Sequence, residues 1–506
     1  MRFFALKISQ RKLPSILLRL FRLYFFACMA LSWAIVLALV AIPLYLTAKD
    51  TRCQYTWQQY LDKAHQKGKK LALDEFLPRA VPDAENFAAE PLFAACFERK
   101  ANFAADRKEP LQLPSFPAKT SIRSDPVSGK RLDLEALKRA FIAAGWLPQD
   151  DSRPAAEAVL LALDSHFAAD WAHICTAAAR PKCRFPVDWQ KGTQAALPHL
   201  GLMRQSSLIL AIRLEADASL GNAIAAQRDF RMGLRFYEVM AKEPGVLNGY
   251  GRNDNLSTVL TAFWSSLSTH VWSSEQLAQI DDELSQLHVL ADARFTFDSE
   301  RAAINLIYND LRSDNIARYY DPRDSDRFDG EKKALHLLSF SCLAGFMSHN
   351  QEWMNRAYDE ELTRLDAKHG RWRIGPRTYD SEAIRNGSTL DRCALLLAVF
   401  NAPTDIDERD PVCLHTRLQE ARIACALERF HLDAGEYPAT LEALEPRYIR
   451  AAPHDAVNGE PFHYQRTSNG RYQLYAVGTN GVDDHGLVVK MKSFKGQPDW
   501  VWLAPE

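Results

Sequence analysis

Residues 23–48 have the sequence LYFFACMALSWAIVLALVAIPLYLTA, which contains no charged side chain. An α-helix rises about 1.5 Å per residue, so this stretch is long enough to cross a hydrocarbon layer about 30 Å thick. We therefore predict a transmembrane helix at residues 23–48. Every other segment is then assigned to one side of a membrane.

The charges around this stretch predict its orientation. Only basic residues precede it, and the first acidic residue of the chain is Asp50. The basic residues are Arg2, Lys7, Arg11, Lys12, Arg19 and Arg22. Because basic flanks stay on the cytoplasmic side, we expect residues 1–22 to be a cytoplasmic tail and the bulk of the chain to be extracytoplasmic.

A cleaved secretory signal is the alternative to a retained anchor. The apolar core of a signal peptide has about 7 to 15 residues and precedes a cleavage site of the small-x-small type. The stretch at residues 23–48 is longer, and Leu46-Thr47-Ala48 fits such a site poorly. These features favour a signal anchor that is retained.

The composition beyond the anchor is that of folded protein. Of 506 residues, 47% are hydrophobic and 25% are charged, which is ordinary for globular domains. Six of the 62 basic residues precede the anchor, so 56 basic residues oppose 63 acidic ones and the remainder carries a net charge of −7. This balance argues against nucleic acid as a partner.

Helical periodicity and proline content divide the chain into segments. Helix-like apolar spacing continues from about residue 131 to residue 402, and two proline-containing stretches without it are predicted linkers. The predicted segments are the tail at 1–22, the transmembrane helix at 23–48, a short helical module at 49–103, a linker at 104–130, an α-helical domain at 131–402, a linker at 403–411 and an α+β domain at 412–506. The predicted fold class is mainly α, with a repeat-like helical domain and a small α+β C-terminal domain.

The C-terminal segment has the pattern of a helix followed by a hairpin. Apolar residues at 4, 3, 4 spacing predict a buried helix that ends at Gly435. They are Leu414, Leu418, Ala421 and Cys425. Strand-like runs at residues 461–466 and 471–477 flank Asn469-Gly470, whose tolerance of positive φ favours a tight turn.

Residues 417–486 also carry a longer pattern. It consists of ALERF at 426–430, GEYP at 435–438, Leu441, Leu444, PHD at 453–455, Gly459, Pro461, Tyr464 and YxLYxVGxNGxDD at 472–484. The pattern resembles the globular head of the major pseudopilin of type II secretion systems, which implies a small α+β head. The resemblance covers this head alone, because residues 23–48 lack the prepilin-peptidase motif of a pseudopilin.

Two further phrases lie outside the head, VPDAENFA at residues 81–88 and DWVW at residues 499–502. With them, the whole outer region is similar to a family of uncharacterised single-pass bacterial membrane proteins. The resemblance implies a bacterial inner (cytoplasmic) membrane protein with its bulk in the periplasm. It implies an architecture and no activity.

The loop at residues 478–486 is a candidate calcium site. Asn480, Asp483 and Asp484 supply oxygen donors of the kind that calcium prefers. The similar loop of the pseudopilin head binds calcium, so the resemblance implies the same role here. The alternative is a polar, glycine-rich turn, because calcium needs about six to eight oxygens and only these side chains are evident.

A predicted helix face is a second candidate for metal. His166, Asp170 and His173 lie at i, i+4 and i+7 and share that face. No fourth ligand is evident nearby, and the alternative is the polar rim of a half-buried helix.

Aromatic residues suggest a third candidate, a ligand pocket. It would contain Trp264, His270, Trp272 and Glu300. Packing of the aromatic residues in the core is the alternative that we favour. The chain has no Gly-x-Ser-x-Gly, His-Glu-x-x-His or P-loop motif.

The cysteines allow one predicted disulfide. Cys175 and Cys183 bracket a predicted helix end and turn, and an oxidising compartment would permit a bridge between them. Buried free cysteine is the alternative.

Together these observations predict a membrane-anchored extracytoplasmic interaction or scaffold protein of the bacterial cell envelope, with secretion as one context. No cofactor other than calcium is expected, and the expected partners are the membrane and envelope proteins. The alternative is a membrane-tethered hydrolase with a site in the helical domain around His166 and His173.

Overall fold

The structure, a computed structural model, describes residues 15–98, 112–113, 124–313, 344–375, 378, 409–489 and 498–505. Within these ranges the chain is mainly helical, with small antiparallel sheets and one apolar helix near the N-terminus. The predicted fold class is confirmed at this level.

Helices form the body of the protein, and most strands lie near its C-terminal end. The helices are α1 (Ser15–Gln66), α2 (Pro91–Glu98), α3 (Leu134–Ala143), α4 (Ala155–Ala178), α5 (His199–Ser219), α6 (Ala223–Met240), α7 (Val246–Leu267), α8 (Ser274–Ser285), α9 (Val289–Arg312), α10 (Ala344–Arg364) and α11 (Arg409–Ala434). The strands are β1 (Leu365–Asp366), β2 (Arg371–Trp372), β3 (His463–Arg466), β4 (Tyr472–Val477) and β5 (Asp499–Leu503).

Helix α1 continues well beyond residue 48, where the predicted transmembrane helix ends. No proline or glycine interrupts residues 44–67, so nothing in the sequence stops the helix earlier. It ends where Gly68 adopts a φ of 65° and the Lys69 N–H donates to the Ala64 carbonyl at 3.0 Å, as in a Schellman cap. Among the described residues, Leu23–Ala41 is the stretch that is long and apolar enough to cross a membrane.

Helices α5, α6 and α7 form the centre of the helical body. Aromatic rings fill the space between α6 and α7, where the centroids of Phe230 and Phe263 are 5.0 Å apart and both rings are fully buried. The two helices approach closely at Gly233, because a Cβ there would lie only 2.4 Å from Val259 Cγ2. The absence of a side chain at Gly233 therefore permits this crossing.

Helix α11 lies between the helical body and the C-terminal sheet. Its predicted apolar face is buried, with Leu418, Ala421 and Cys425 fully covered. The helix packs against α7 and α8 and also contacts β4 and β5, so a single hydrophobic core includes residues of all these elements. Most of the predicted linker at 403–411 lies outside the described residues, and the segment that follows it is packed into the helical body.

The C-terminal sheet contains the predicted hairpin and a third strand. Strands β3 and β4 pair antiparallel with Arg466 opposite Tyr472, and Gly470 in the turn has a φ of 79°. Strand β5 pairs with the other edge of β4 and places Trp502 opposite Leu474. The sequence analysis did not identify β5 as a strand, because almost every residue of it is buried and polar alternation is therefore absent.

The described end of the predicted linker at 104–130 is held against the body. Ser124 Oγ donates to the Glu215 carboxylate of α5 at 2.8 Å, and the Leu503 N–H of β5 donates to the Pro126 carbonyl at 3.4 Å. Residues 124–130 therefore pack between α5 and β5 instead of forming an extended linker. The rest of that segment, apart from residues 112–113, lies outside the described residues.

We expect Gly233→Ala to lower the free energy of unfolding by about 1 to 3 kcal/mol, because the new methyl group overlaps the stiff side chain of Val259. Gly201→Ala on α5 is the matched control, since an added Cβ there meets no atom within 4 Å. That change should be neutral or stabilise by less than about 1 kcal/mol. Denaturant unfolding of both variants measures the difference, and equal effects would contradict the close crossing of α6 and α7.

Candidate functional site

The structure gives His166 and His173 separate partners. The His166 ring stacks on Trp146 with centroids 4.1 Å apart, and its Nδ1 lies 3.1 Å from the Ala162 carbonyl oxygen. His173 Nδ1 lies 2.7 Å from the Glu90 carboxylate, which also accepts a hydrogen bond from Arg180 at 2.6 Å. Asp170 lies on α4 between the two histidines. Across the described ranges, no three His, Cys, Asp or Glu side chains are grouped as a metal site.

The aromatic candidate pocket is occupied by core packing. Trp264 and Trp272 are fully buried, and their indole N–H groups donate to the Leu503 carbonyl at 2.6 Å and to Ser266 Oγ at 2.9 Å. The Glu300 carboxylate accepts the Val246 N–H at 2.9 Å at the start of α7. These residues therefore act as parts of the core and as a helix cap, and they do not line one pocket.

His270 belongs instead to a polar group that the sequence analysis missed. Its Nδ1 contacts Glu428 Oε1, and Glu428 Oε2 accepts a hydrogen bond from the Tyr437 hydroxyl at 2.9 Å. The His270 ring also lies 5.2 Å from that of His431. His270 has a φ of 48°, which residues other than glycine rarely adopt. No local pattern links the two residues, because His270 lies just beyond the end of α7 and Glu428 lies on α11.

The hydrogen bond with Glu428 raises the pKa of His270 above its ordinary value. The stabilisation from this pair is therefore present below the unfolded-state pKa of about 6.5 and is lost as the pH rises through the raised folded-state pKa. We expect His270→Gln to lower the melting temperature more at about pH 6 than at about pH 9. The control is His288→Gln at an exposed position. Equal losses at both pH values would contradict the charged pair.

The loop at residues 478–486 contains the predicted calcium ligands, and each of them has a protein partner. Asp483 Oδ1 accepts hydrogen bonds from the Tyr475 hydroxyl at 3.2 Å and the His485 N–H at 2.8 Å. Asn480 donates to Asp484 Oδ2 at 2.8 Å. The hydrogen bond from the His485 N–H lowers the pKa of Asp483, which keeps this carboxylate charged. The structure thus brings the three side chains into one loop, and calcium binding stays a prediction.

Calcium binding by this loop predicts a melting temperature that rises with millimolar calcium, because an ion bound only to the folded state stabilises it. Asp483→Ala should remove the rise, and magnesium should have little effect because it requires a tight octahedron. Asp433→Ala, at an acidic residue remote from the loop in sequence, is the control. Identical melting curves with calcium and with a chelator would identify the loop as a polar turn.

The predicted cysteine pair is not bridged in the structure. Cys175 is exposed and Cys183 is half-buried, and both are free thiols. Partial desolvation of the Cys175 sulfur and deeper burial of the Cys183 sulfur raise the pKa of both thiols, so both are poor thiolate nucleophiles. A bridge between them in the oxidised protein stays a prediction.

A polar cleft of about 850 Å³ lies where the hairpin of β1 and β2 meets α11 and the loop at residues 452–457. The backbone N–H of Trp372 donates to the Ala456 carbonyl at 2.8 Å and fixes the hairpin to this loop. Six basic side chains line the cleft. They are His369, Arg371 and Arg373 from the hairpin, His415 and Arg422 from α11, and His454 from the loop.

The acidic side chains of the cleft are used for structural hydrogen bonds. Asp455 is buried and accepts the N–H groups of Val457 at 2.7 Å and Val477 at 2.8 Å. Asp366 binds His369 Nδ1 at 2.9 Å, and this hydrogen bond is the main reason for its lowered pKa. The cleft therefore has more donors than free acceptors.

His415 is a neutral member of this group. Its ring is half-buried, and its Nδ1 is fully covered without a hydrogen-bond partner. Burial lowers the pKa of His415 to about 4, and the charge of Arg422 acts in the same direction. Near pH 7 the ring is therefore uncharged.

The sequence analysis did not identify the cleft. His415, Gln419 and Arg422 lie at i, i+4 and i+7 and share one face of α11, which is the only local signal. His454 and Asp455 entered only as part of the pseudopilin-like pattern. The hairpin residues come from a distant segment, so their approach depends on tertiary packing.

The described residues thus define a mainly helical protein with an apolar N-terminal helix of membrane-spanning length and a basic cleft beside its C-terminal sheet. No family model, curated protein or solved structure matches the chain. The resemblances to the pseudopilin head and to the single-pass bacterial family therefore stay predictions.

Proposed function

We propose that this protein is a single-pass protein of the bacterial inner membrane whose extracytoplasmic helical body is an interaction or scaffold module. The continuity of α1 carries the proposal, because one helix contains the apolar stretch Leu23–Ala41 and also packs against α10. The basic residues ahead of that stretch support a cytoplasmic N-terminus.

The contacts at the end of α1 are specific. Asp359 on α10 accepts a hydrogen bond from the Tyr60 hydroxyl at 2.9 Å and pairs with Lys69 at 2.5 Å. It also pairs with Arg301 of α9 at 2.9 Å. Trp57 stacks on Tyr60 with ring centroids 5.5 Å apart. Three parts of the chain therefore meet at one carboxylate.

This attachment favours a scaffold over a simple tether. An enzyme that only needs to stay near a membrane can be attached to its membrane helix by a flexible linker. Here one continuous helix joins the apolar stretch to the body, which supports a body whose orientation relative to the bilayer is restricted. A restricted orientation is useful to a protein that contacts partners in the same membrane.

The C-terminal segment is proposed to be a pseudopilin-like head that contributes to these contacts, with secretion as one context. The order of its elements supports this: α11, the short 3₁₀ helix Leu441–Leu444 and an antiparallel sheet follow one another. Because α11 shares its core with α7 and α8, such a head would move together with the helical body.

The alternative, a membrane-tethered hydrolase, receives no specific support from the part of the chain that the structure describes. His166 is stacked on Trp146, and His173 is bound to Glu90. Neither histidine has a serine, cysteine or threonine among its hydrogen-bond partners in these ranges.

Topology is tested by reporters fused after Glu506. We expect alkaline phosphatase there to be active and a fluorescent protein that folds only in the cytoplasm to be dark. Arg11→Glu combined with Lys12→Glu and Arg19→Glu should reduce phosphatase activity, because the positive flank sets the orientation. A fluorescent fusion of the unaltered chain would refute the proposed topology.

The scaffold role is tested by cross-linking in cells. A photoreactive residue at Ile224, which is 84% exposed on α6, should give a discrete product with an envelope protein. A flexible Gly-Ser insertion after Thr51 should reduce the product several-fold, because it uncouples the body from the bilayer. A two-turn helical insertion at the same site is the control and should preserve it. Loss of any hydrolase activity on His166→Ala, with cross-linking unchanged by either insertion, would favour the alternative.

A further inference from the structure

We propose that the cleft between the β1–β2 hairpin and α11 binds a ligand through a phosphate monoester group. The proposal does not depend on the scaffold role, because it rests on the cleft alone. The cleft volume of about 850 Å³ lies within the range of small-molecule sites, which is roughly 300 to 1,000 Å³.

Arg371 is the central donor. Its Nη2 donates to the Gly459 carbonyl at 3.2 Å, and no carboxylate in the described residues pairs with it. The guanidinium occupies the place of a side chain at Gly459, since a Cβ there would lie 2.0 Å from Arg371 Nη1. Arg371, although exposed on β2, is therefore tied to a neutral acceptor, and its guanidinium makes no ion pair within the described residues.

Arg373 and the two outer histidines add further donors. Arg373 is 72% exposed, and its closest carboxylate oxygen is that of Asp366 at 3.5 Å. His369 and His454 both bind protein acceptors through Nδ1, at 2.9 Å in each case. That arrangement leaves the Nε2 atom of each ring unused within the described structure.

Two polar atoms of the residues that form the cleft wall are buried behind its surface. Trp372 is only 4% exposed, and its indole N–H has no hydrogen-bond partner in the described structure. His415 Nδ1 is likewise covered and without a partner. Both atoms are covered by protein, so the donors that a ligand in the cleft can reach are those of the exposed arginine and histidine side chains.

A phosphate monoester fits this donor set better than a carboxylate. Its dianion has three terminal oxygens that accept hydrogen bonds, and its charge of about −1.5 to −2 near pH 7 matches the two arginines Arg371 and Arg373. A planar carboxylate offers two oxygens and one charge. Asp455 is occupied by backbone N–H groups, and Asp366 binds His369 at 2.9 Å and Arg373 only at 3.5 Å, so most of the positive charge of the two arginines is left for a ligand.

The remaining volume is available to the organic part of the ligand. A single phosphate group fills only a small part of the cleft, and Pro453 and Val457 supply apolar wall next to the basic side chains. The ligand is therefore an organic phosphate. It is either a soluble molecule or a lipid whose headgroup is a terminal phosphate, such as phosphatidic acid, since both present a phosphate monoester.

Calorimetry on the full chain in phosphatidylcholine nanodiscs tests the site, with phenyl phosphate as the probe and benzoate as the carboxylate comparison. We expect saturable binding of phenyl phosphate that Arg371→Gln and Arg373→Gln each weaken by about tenfold or more, as loss of a charge-assisted hydrogen bond does. Benzoate should bind at least several-fold more weakly. Arg447→Gln is the matched control, because this arginine is 73% exposed and pairs with Asp433 away from the cleft.

Arg373 is exposed, so Arg373→Gln keeps the test decisive even if Arg371→Gln fails to fold. Nanodiscs that also contain phosphatidic acid distinguish the two sources of the ligand. Loss of phenyl phosphate binding in them assigns the site to a lipid headgroup, and unchanged binding assigns it to a soluble organic phosphate. Absence of binding, equal affinity for benzoate, or equal affinity in Arg373→Gln and the unaltered chain would overturn the proposal.

Discussion

The carboxylate of Asp359 holds the N-terminal helix to the body, and the position of the rest of the structure relative to α1 depends on it. It binds Tyr60, Lys69 and Arg301 together, and Arg301 is only 2% exposed. Arg301 also pairs with Asp298 at 2.6 Å. Removing one partner from a buried ion pair typically costs about 3 to 5 kcal/mol, because the other charge stays buried. The junction is thus a network of paired charges in which both terminal nitrogens of Arg301 are bound, and such directional contacts specify one geometry where apolar packing alone would allow several.

The packing of the C-terminal sheet on the helical body depends on α11, which is covered on both sides. Its apolar residues complete the core of α7 and α8 and at the same time support the sheet. Two buried carboxylates then fix the surrounding loops. Asp455 accepts the N–H of Val477 at the end of β4, and Asp499 of β5 accepts the N–H of Gly486 at 2.8 Å. The loop at residues 478–486 is therefore positioned by strand β5 as well as by its own side chains.

The sequence predicted those features that depend on local periodicity. The apolar stretch, the helical body, the 4, 3, 4 face of α11 and the turn at Gly470 all follow from spacing and backbone preference. It did not predict features that depend on distant contacts. The pairing of His270 with Glu428, strand β5 and the basic cleft each join segments far apart in the chain. The predicted helix end at residue 48 followed hydropathy, whereas helix formation continues until a residue such as Gly68 stops it.

The cleft also shows why net charge is a poor guide to local recognition. The chain beyond the anchor carries a net charge of −7 by sequence, yet three arginines line one cleft together with three histidines, of which His415 is neutral. Many acidic side chains accept hydrogen bonds from groups within the fold, as Asp455 and Asp499 do from backbone N–H groups. Such carboxylates add to the count of negative charges but expose few free oxygens. An arginine such as Arg371, bound only to a carbonyl, retains its full charge for a ligand. The electrostatic character of a site is therefore set by which charges are already hydrogen-bonded within the fold, and the sum over the sequence does not report it.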